Sequence, residues 1–303
     1  MKLFKELLNI RSSPSKITSK PREVNVFSKL HKNLIIYGLV LLLFCWIGNI
    51  LYYNNKEIKK PLFLKHYYAL QDGMGDFNLY YVQNINSQDK VSSIVFPEIG
   101  QNPVNFTEND DNNAYCNIDK RYYALKTIRI TIYNGDSNNM PAEYKNKIIT
   151  KAKIQFSNGK SMNVSLGKIY FASEKIKDNG LEQRSTTVST DNIAYYTYWI
   201  KKDIMITGID YQFEKQVKGM LEINIDGKAI SKNSFPIRLY SVGMVSIGDK
   251  MNLNKNNAYF FNFHILTEDL QGNKGKSSCF IGSIFQPPEN LDVDTLKKNS
   301  RGE

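Results

Sequence analysis

Residues 34–53 read LIIYGLVLLLFCWIGNILYY, a run without a single charged side chain, and nothing later in the chain is comparably apolar. As a helix rising ~1.5 Å per residue it spans about 30 Å, the hydrocarbon thickness of a bilayer, and a helix satisfies its own backbone hydrogen bonds there. The run predicts one transmembrane helix and divides the chain into a short tail before it and a long body after it. Asn49 is its only strongly polar side chain, and Trp46, Tyr52 and Tyr53 suit an interfacial or near-interfacial position in the membrane. A cleaved signal peptide would have an apolar core of about 7–15 residues followed by small residues. Here the flank is Tyr52, Tyr53, Asn54, Asn55 and Lys56, and Cys45 reads as a membrane-embedded thiol.

The chain carries a formal charge of +11, and more than half of it lies in residues 1–33, which hold eight Lys/Arg against two Glu. The excess of basic residues before the helix predicts a cytoplasmic tail over 1–33, a signal-anchor over 34–53 and an extracytoplasmic body in the cell membrane. Within the tail, Leu3, Phe4, Leu7, Leu8 and Ile10 recur at helical spacing beside Lys2, Lys5 and Arg11, the pattern of a short interfacial helix. Ser12–Glu23, with two prolines among small and charged residues, reads as linker. The charge left for the body is too dilute for nucleic acid, which requires a clustered basic face.

After a juxtamembrane linker at 54–60, residues 61–286 read as β-structure, and 287–303 lack an apolar pattern and read as a disordered tail. Alternation is clearest at Lys126–Tyr133, where Ile128, Ile130 and Ile132 point one way and Thr127, Arg129 and Thr131 the other. KAKIQF and KSMNVSL flank Asn158-Gly159, and GMLEINI and KAIS flank Asp226-Gly227, dipeptides of two-residue hairpin turns in which both positions take positive φ. Further strands are expected from Phe77, Val91, Ile193, Ile204, Phe235, Ala258 and Cys279. This spacing predicts a mainly β fold, an antiparallel β-sandwich or jelly roll, built as one large or two small sandwiches. Polar residues 175–192 suit an exposed loop or a boundary between two halves.

The chemistry-bearing residues are sparse. Histidine occurs only at 31, 66 and 264, and no HExxH, GxSxG, phosphate-loop or dinucleotide motif is present, so no cofactor or metal is expected. Cys116 and Cys279 either form one disulfide closing a long loop or remain two free thiols. A cysteine-dependent envelope hydrolase or transpeptidase would need Cys279 as a thiolate with His264 as its base. Glu108, Asp110, Asp111 and Asp119 offer oxygen ligands without calcium-loop spacing. Half of each tyrosine cluster, such as Tyr195-Tyr196-Tyr198-Trp199, should face the core and half the solvent. The exposed half would supply either a protein interface or a stacking platform for sugars. The expected function is therefore a non-catalytic, single-pass anchored β-domain that binds an envelope or membrane protein as an accessory or assembly component. A cell-wall polysaccharide-binding module is the alternative.

Overall fold

The computed structural model describes residues 23–109, 116–132, 140–173, 180–188, 193–282 and 287–301. The chain divides into two compact units, Met1–Glu57 and Ile58–Glu303. In the first, helix α1 runs from Glu23 to Lys56, and His31–Lys56 within it is long and apolar enough to cross a membrane. The helix outlasts the apolar run at both ends, so Asn54, Asn55 and Lys56 are helical rather than linker; none of them breaks a helix, and the first proline downstream is Pro61. Trp46 lies near the middle of the apolar run, about 10 Å along the axis from Tyr53, so only Tyr52 and Tyr53 lie at its end. The amphipathic stripe at 1–10 and most of the 12–23 linker fall outside the described residues.

The second unit opens directly after the helix, not at residue 61. Ile58 is buried in its core, and its backbone N–H and C=O both bond the Asn84 amide, each at 2.8 Å. Two β-sandwich lobes follow. The first lobe contains β1 (Leu62–Phe63), β2 (Lys65–Gln71), β3 (Asp76–Asn84), β4 (Val91–Val95), β5 (Asn105–Asn109), β6 (Tyr123–Thr131), β7 (Ile148–Phe156) and β8 (Ser161–Ala172). The second contains β9 (Leu181–Val188), β10 (Ile193–Ile200), β11 (Ile204–Tyr211), α2 (Glu214–Val217), β12 (Leu221–Ile225), β13 (Lys228–Ala229), β14 (Ile237–Leu239), β15 (Met244–Met251), β16 (Asn257–Asp269) and β17 (Lys274–Gly282).

A single sheet in the order β14-β11-β16-β2-β8-β7-β4, with β17 also paired to β16, runs through both lobes. Sheet β1-β3-β6-β5 completes the first core and sheet β13-β12-β15-β10-β9 the second. Along β16, Ala258 and Phe260 enter the first core while Tyr259, Phe261, Phe263 and Ile265 enter the second. Successive strand residues point to opposite faces, so the two smaller sheets cover opposite faces of the shared one. That explains the nearly continuous apolar run AYFFNFHIL, which is buried on both sides. Most pairings are antiparallel, as the turn signals imply, but β2 runs parallel to both β16 and β8. Asp226 and Gly227 both have positive φ in the β12–β13 turn; in the β7–β8 hairpin only Gly159 does, giving a three-residue loop rather than the expected two-residue one.

Two expectations change here: the stretch 175–192 does fall between the two lobes, but it is not loop throughout. Of the polar stretch 175–192, Leu181–Val188 forms edge strand β9; 174–179 and 189–192 lie outside the described residues. Only Leu181 of this strand is buried, so no apolar alternation marks it. Residues 287–301 are not a detached tail. They return to the first lobe, where Asn117 bonds Glu289 and Leu291 through the backbone and α3 (Val293–Arg301) buries Val293 and Leu296 in the first core. Lys297 donates to the Tyr123 hydroxyl at 3.0 Å. The apolar signal of a nine-residue helix with two buried aliphatics is too short to read in sequence. Leu296→Ala is expected to cost about 2–4 kcal/mol in urea unfolding of the β body; unchanged stability would mean that α3 is not part of the core.

Candidate recognition face

Strand β10 alternates as its sequence implies: Ala194, Tyr196, Tyr198 and Ile200 are buried, and Tyr195, Thr197 and Trp199 take the outer face of the second lobe. Tyr195 sits between Thr187 and Gly248, and Trp199 between Glu182 and Met244. A Cβ at Gly248 would meet Tyr195 Cε1 at 2.9 Å and the Asn224 amide at 2.7 Å, so the tyrosine ring and the amide lie across bare backbone. A one-residue bulge in β9 falls at Arg184, whose guanidinium stands 6.0 Å from the Trp199 ring centre. The bulge and the charge also blunt this exposed sheet edge.

The face continues into the β14–β15 connection. Tyr240, Val242 and Met244 are 64%, 77% and 63% exposed. Val242 has φ +67°, a left-handed conformation that a β-branched side chain rarely adopts. Three hydrogen bonds hold the loop: Val242 N–H to Ile200 O at 3.0 Å, Ile200 N–H to Gly243 O at 3.0 Å and Ser241 N–H to Asp203 Oδ1 at 2.7 Å. The Ser241 bonds also hold the Asp203 carboxyl below its ordinary range. Register places Leu239, Ile204 and Asp269 side by side, so Leu270, 63% exposed in the β16–β17 turn, emerges at the same end of the lobe. Tyr240, Val242, Met244 and Leu270 thus expose large apolar side chains at one end of the lobe, and the loop carries a conformationally costly residue. The sequence reading ran a single strand through Tyr240–Met244; Ser241-Val242-Gly243 was the available signal of a break.

Inside the same lobe Tyr196, Tyr198, Asp249 and Cys279 lie close together. The Tyr198 hydroxyl and Cys279 Sγ are 2.9 Å apart. Burial pushes the Cys279 thiol up to about 12, with the Asp249 carboxyl adding to the rise. Asp249 is fully buried, and burial raises its carboxyl to about 7 while the Tyr196 hydroxyl offsets part of the rise. A nucleophilic cysteine requires the opposite shift. His264 does not serve Cys279: Cys279 opposes Phe263, so His264 takes the other face of the strand.

The remaining sequence candidates are separated. Cys116 lies in the first core and Cys279 in the second, both as free thiols, which is the second of the two alternatives. Burial raises Cys116 to about 11. Glu108 is structural, accepting from the Tyr81 hydroxyl and from Val91 N–H, and Asp119 pairs with Arg121; Asp110 and Asp111 lie outside the described residues. Among the described residues no group of three His, Cys, Asp or Glu side chains converges on a metal position. His66 is buried, driven down to about 3, and accepts the Tyr80 N–H at 3.0 Å, a fixed link between the two sheets of the first lobe. A cleft of about 460 Å³ between the lobes is lined by Ile148, Lys168 and Tyr170 on one side and Gln212, Phe213 and Glu214 on the other. It gathers no nucleophile with a base.

No protein-family model matches the chain, and neither does any curated protein. Solved structures that match the chain include the YadV chaperone, 8% identical with a TM-score of 0.20 over 73% of this chain and 99% of that one. The Ig1-2 module of the Drosophila receptor protein tyrosine phosphatase DLAR gives 9% and 0.22 over 74% and 96%. The Clostridium thermocellum CbhA fibronectin(III)-like modules give 12% and 0.19 over 74% and 93%. At these scores the likeness carries no argument about function.

Two measurements check the energetics of this lobe. Asp249 binds its proton more tightly folded than unfolded, so stability falls as pH rises from about 4 through about 7 and is flat beyond. The loss is on the order of 2–4 kcal/mol, and Asp249→Asn should abolish the slope in urea titrations between pH 5 and pH 8. Val242→Gly relieves the left-handed backbone and should gain about 1 kcal/mol, raising Tm by about 2–4 °C; a fall in Tm would show that the loop stores no strain.

Proposed function

We propose that this chain is a single-pass membrane protein whose extracytoplasmic β body binds another envelope protein without catalysis, as an accessory or assembly component. The tail at 1–33 would then lie in the cytoplasm. The observation that carries the reading is the exposed strip Tyr240, Val242 and Met244, with Val242 held at positive φ. It adjoins the aromatic outer face of Tyr195 and Trp199, the residue types that concentrate in protein interfaces. Support for a non-catalytic role comes from the raised Cys279 thiol and from the opposite facing of His264. The apolar helix supports the anchor, and the basic excess of the tail supports the orientation.

The test is a photo-cross-linking amino acid at position 242 in intact cells, compared with one at exposed Lys153 on the other lobe. A discrete protein adduct from position 242 alone, reduced at least tenfold by Tyr240→Ser with Met244→Ser, is the expected result. No adduct, together with co-sedimentation of the body on purified wall polysaccharide, would favour the sugar-binding alternative. Labelling by a membrane-impermeant maleimide at an engineered Lys153→Cys on intact cells checks the orientation; reaction only after permeabilisation would reverse it.

A further inference from the structure

The apolar run of α1 differs around its circumference. Gly38, Leu42, Cys45, Asn49 and Tyr52 are spaced four, three, four and three residues apart, which places them along one seam of the helix. The opposite side carries large apolar residues, among them Ile36, Val40, Leu43, Ile47 and Ile50. On the seam, a Cβ at Gly38 would meet nothing within 4 Å, and the Cys45 thiol is exposed. Asn49 is exposed on the helix, and no other described side chain hydrogen-bonds its amide. Resting on the anchored reading above, this amide lies in hydrocarbon, several residues inside the end of the apolar run, where lipid offers neither donor nor acceptor.

From this placement we infer that the chain pairs with a second copy of itself in the bilayer, through a parallel helix seam built on Gly38, Cys45 and Asn49. An amide is both donor and acceptor, so two Asn49 side chains related by a two-fold axis satisfy each other: each C=O accepts from the other NH₂. Copies of one chain insert in the same orientation, which makes the pair parallel and brings Asn49 opposite Asn49. A single Asn on a three-four repeat sets register and favours a dimer. Gly38 and Cys45, the small residues of the seam, allow the backbones to approach, and a seven-residue repeat gives a left-handed crossing.

Cys45 is a native reporter of this contact, because the two sulfurs face each other across the axis. Copper phenanthroline oxidises such a pair: two thiols give up two protons and two electrons to the oxidant as one S–S bond forms. Cys116 and Cys279 are buried in the body and shielded from it. Oxidation of the full chain in membranes should give a reducible band at twice the 34.9 kDa chain mass. The band should vanish in Cys45→Ser and fall at least fivefold in Asn49→Leu. In the Cys45→Ser background, Leu42→Cys should restore it and Phe44→Cys should not. Equal cross-linking at 42 and 44, or no dimer from chain that stays in carbonate-washed membranes, would overturn the pairing, as would an adduct of Cys45 with a different protein. Release of the chain by carbonate would instead overturn the anchor itself, and the seam with it.

Discussion

Four residues of parallel ladder, Lys65–Tyr68 against Asn257–Phe260, hold the two lobes in one sheet, and the rest of the body depends on that pairing. Parallel pairing brings together segments almost two hundred positions apart in sequence, and it makes β2 and β16 members of both cores. Tyr68 and Leu70 enter the first core and Ala69 the second, the same division seen in β16. Tyr67 stacks on Tyr259 at 5.4 Å and meets Phe213 edge-on at 5.8 Å, which fills the joint with aromatic contact. On its other side β2 lies so close to β8 that a Cβ at Gly167 would stand 2.6 Å from His66 O; with φ +89° as well, that position admits only glycine.

The chain crosses between the lobes a second time after β17, and the C-terminal segment locks the arrangement. Asp292 N–H bonds Asn256 Oδ1 at 2.8 Å just ahead of β16, and α3 closes over the first core. The second lobe is therefore an insertion between β8 and α3, secured at both ends and along a strand. Such a lobe can present an apolar, strained loop at its free end without depending on that loop for its own stability, because the core beneath it is complete. Its buried polar groups serve differently. Burial shifts both Asp249 and Cys279 toward their neutral forms, the thiol much further above neutrality than the carboxyl.

Much of the fold was legible because local chemistry and tertiary structure agree. The alternation at Ile128, Ile130 and Ile132 marks a strand that is buried on that face, and Asp226-Gly227 makes the turn its φ preferences require. Strand β10 separates Tyr196 and Tyr198 from Tyr195 and Trp199 by the two-residue period alone. Where the reading failed, the stabilisation came from a partner element and left no pattern in the segment itself. Strand β9 is polar because it is an edge, and its strand character comes from pairing with β10 rather than from its own pattern. Helix α3 depends on a core formed more than a hundred residues earlier.

By itself the sequence determined the apolar helix, the β class of the body, its hairpins and which side of each alternating strand turns inward, since these follow from hydropathy and backbone preference within a few residues. Tertiary structure alone decided the shared sheet, the opposite placement of the two cores, the separation of Cys116 from Cys279 and the exposure of Tyr240, Val242 and Met244. Those outcomes depend on which strands meet, and a parallel ladder between residues 65–68 and 257–260 leaves no local signature: each partner shows only an apolar run, and that run is the same whichever neighbour buries it.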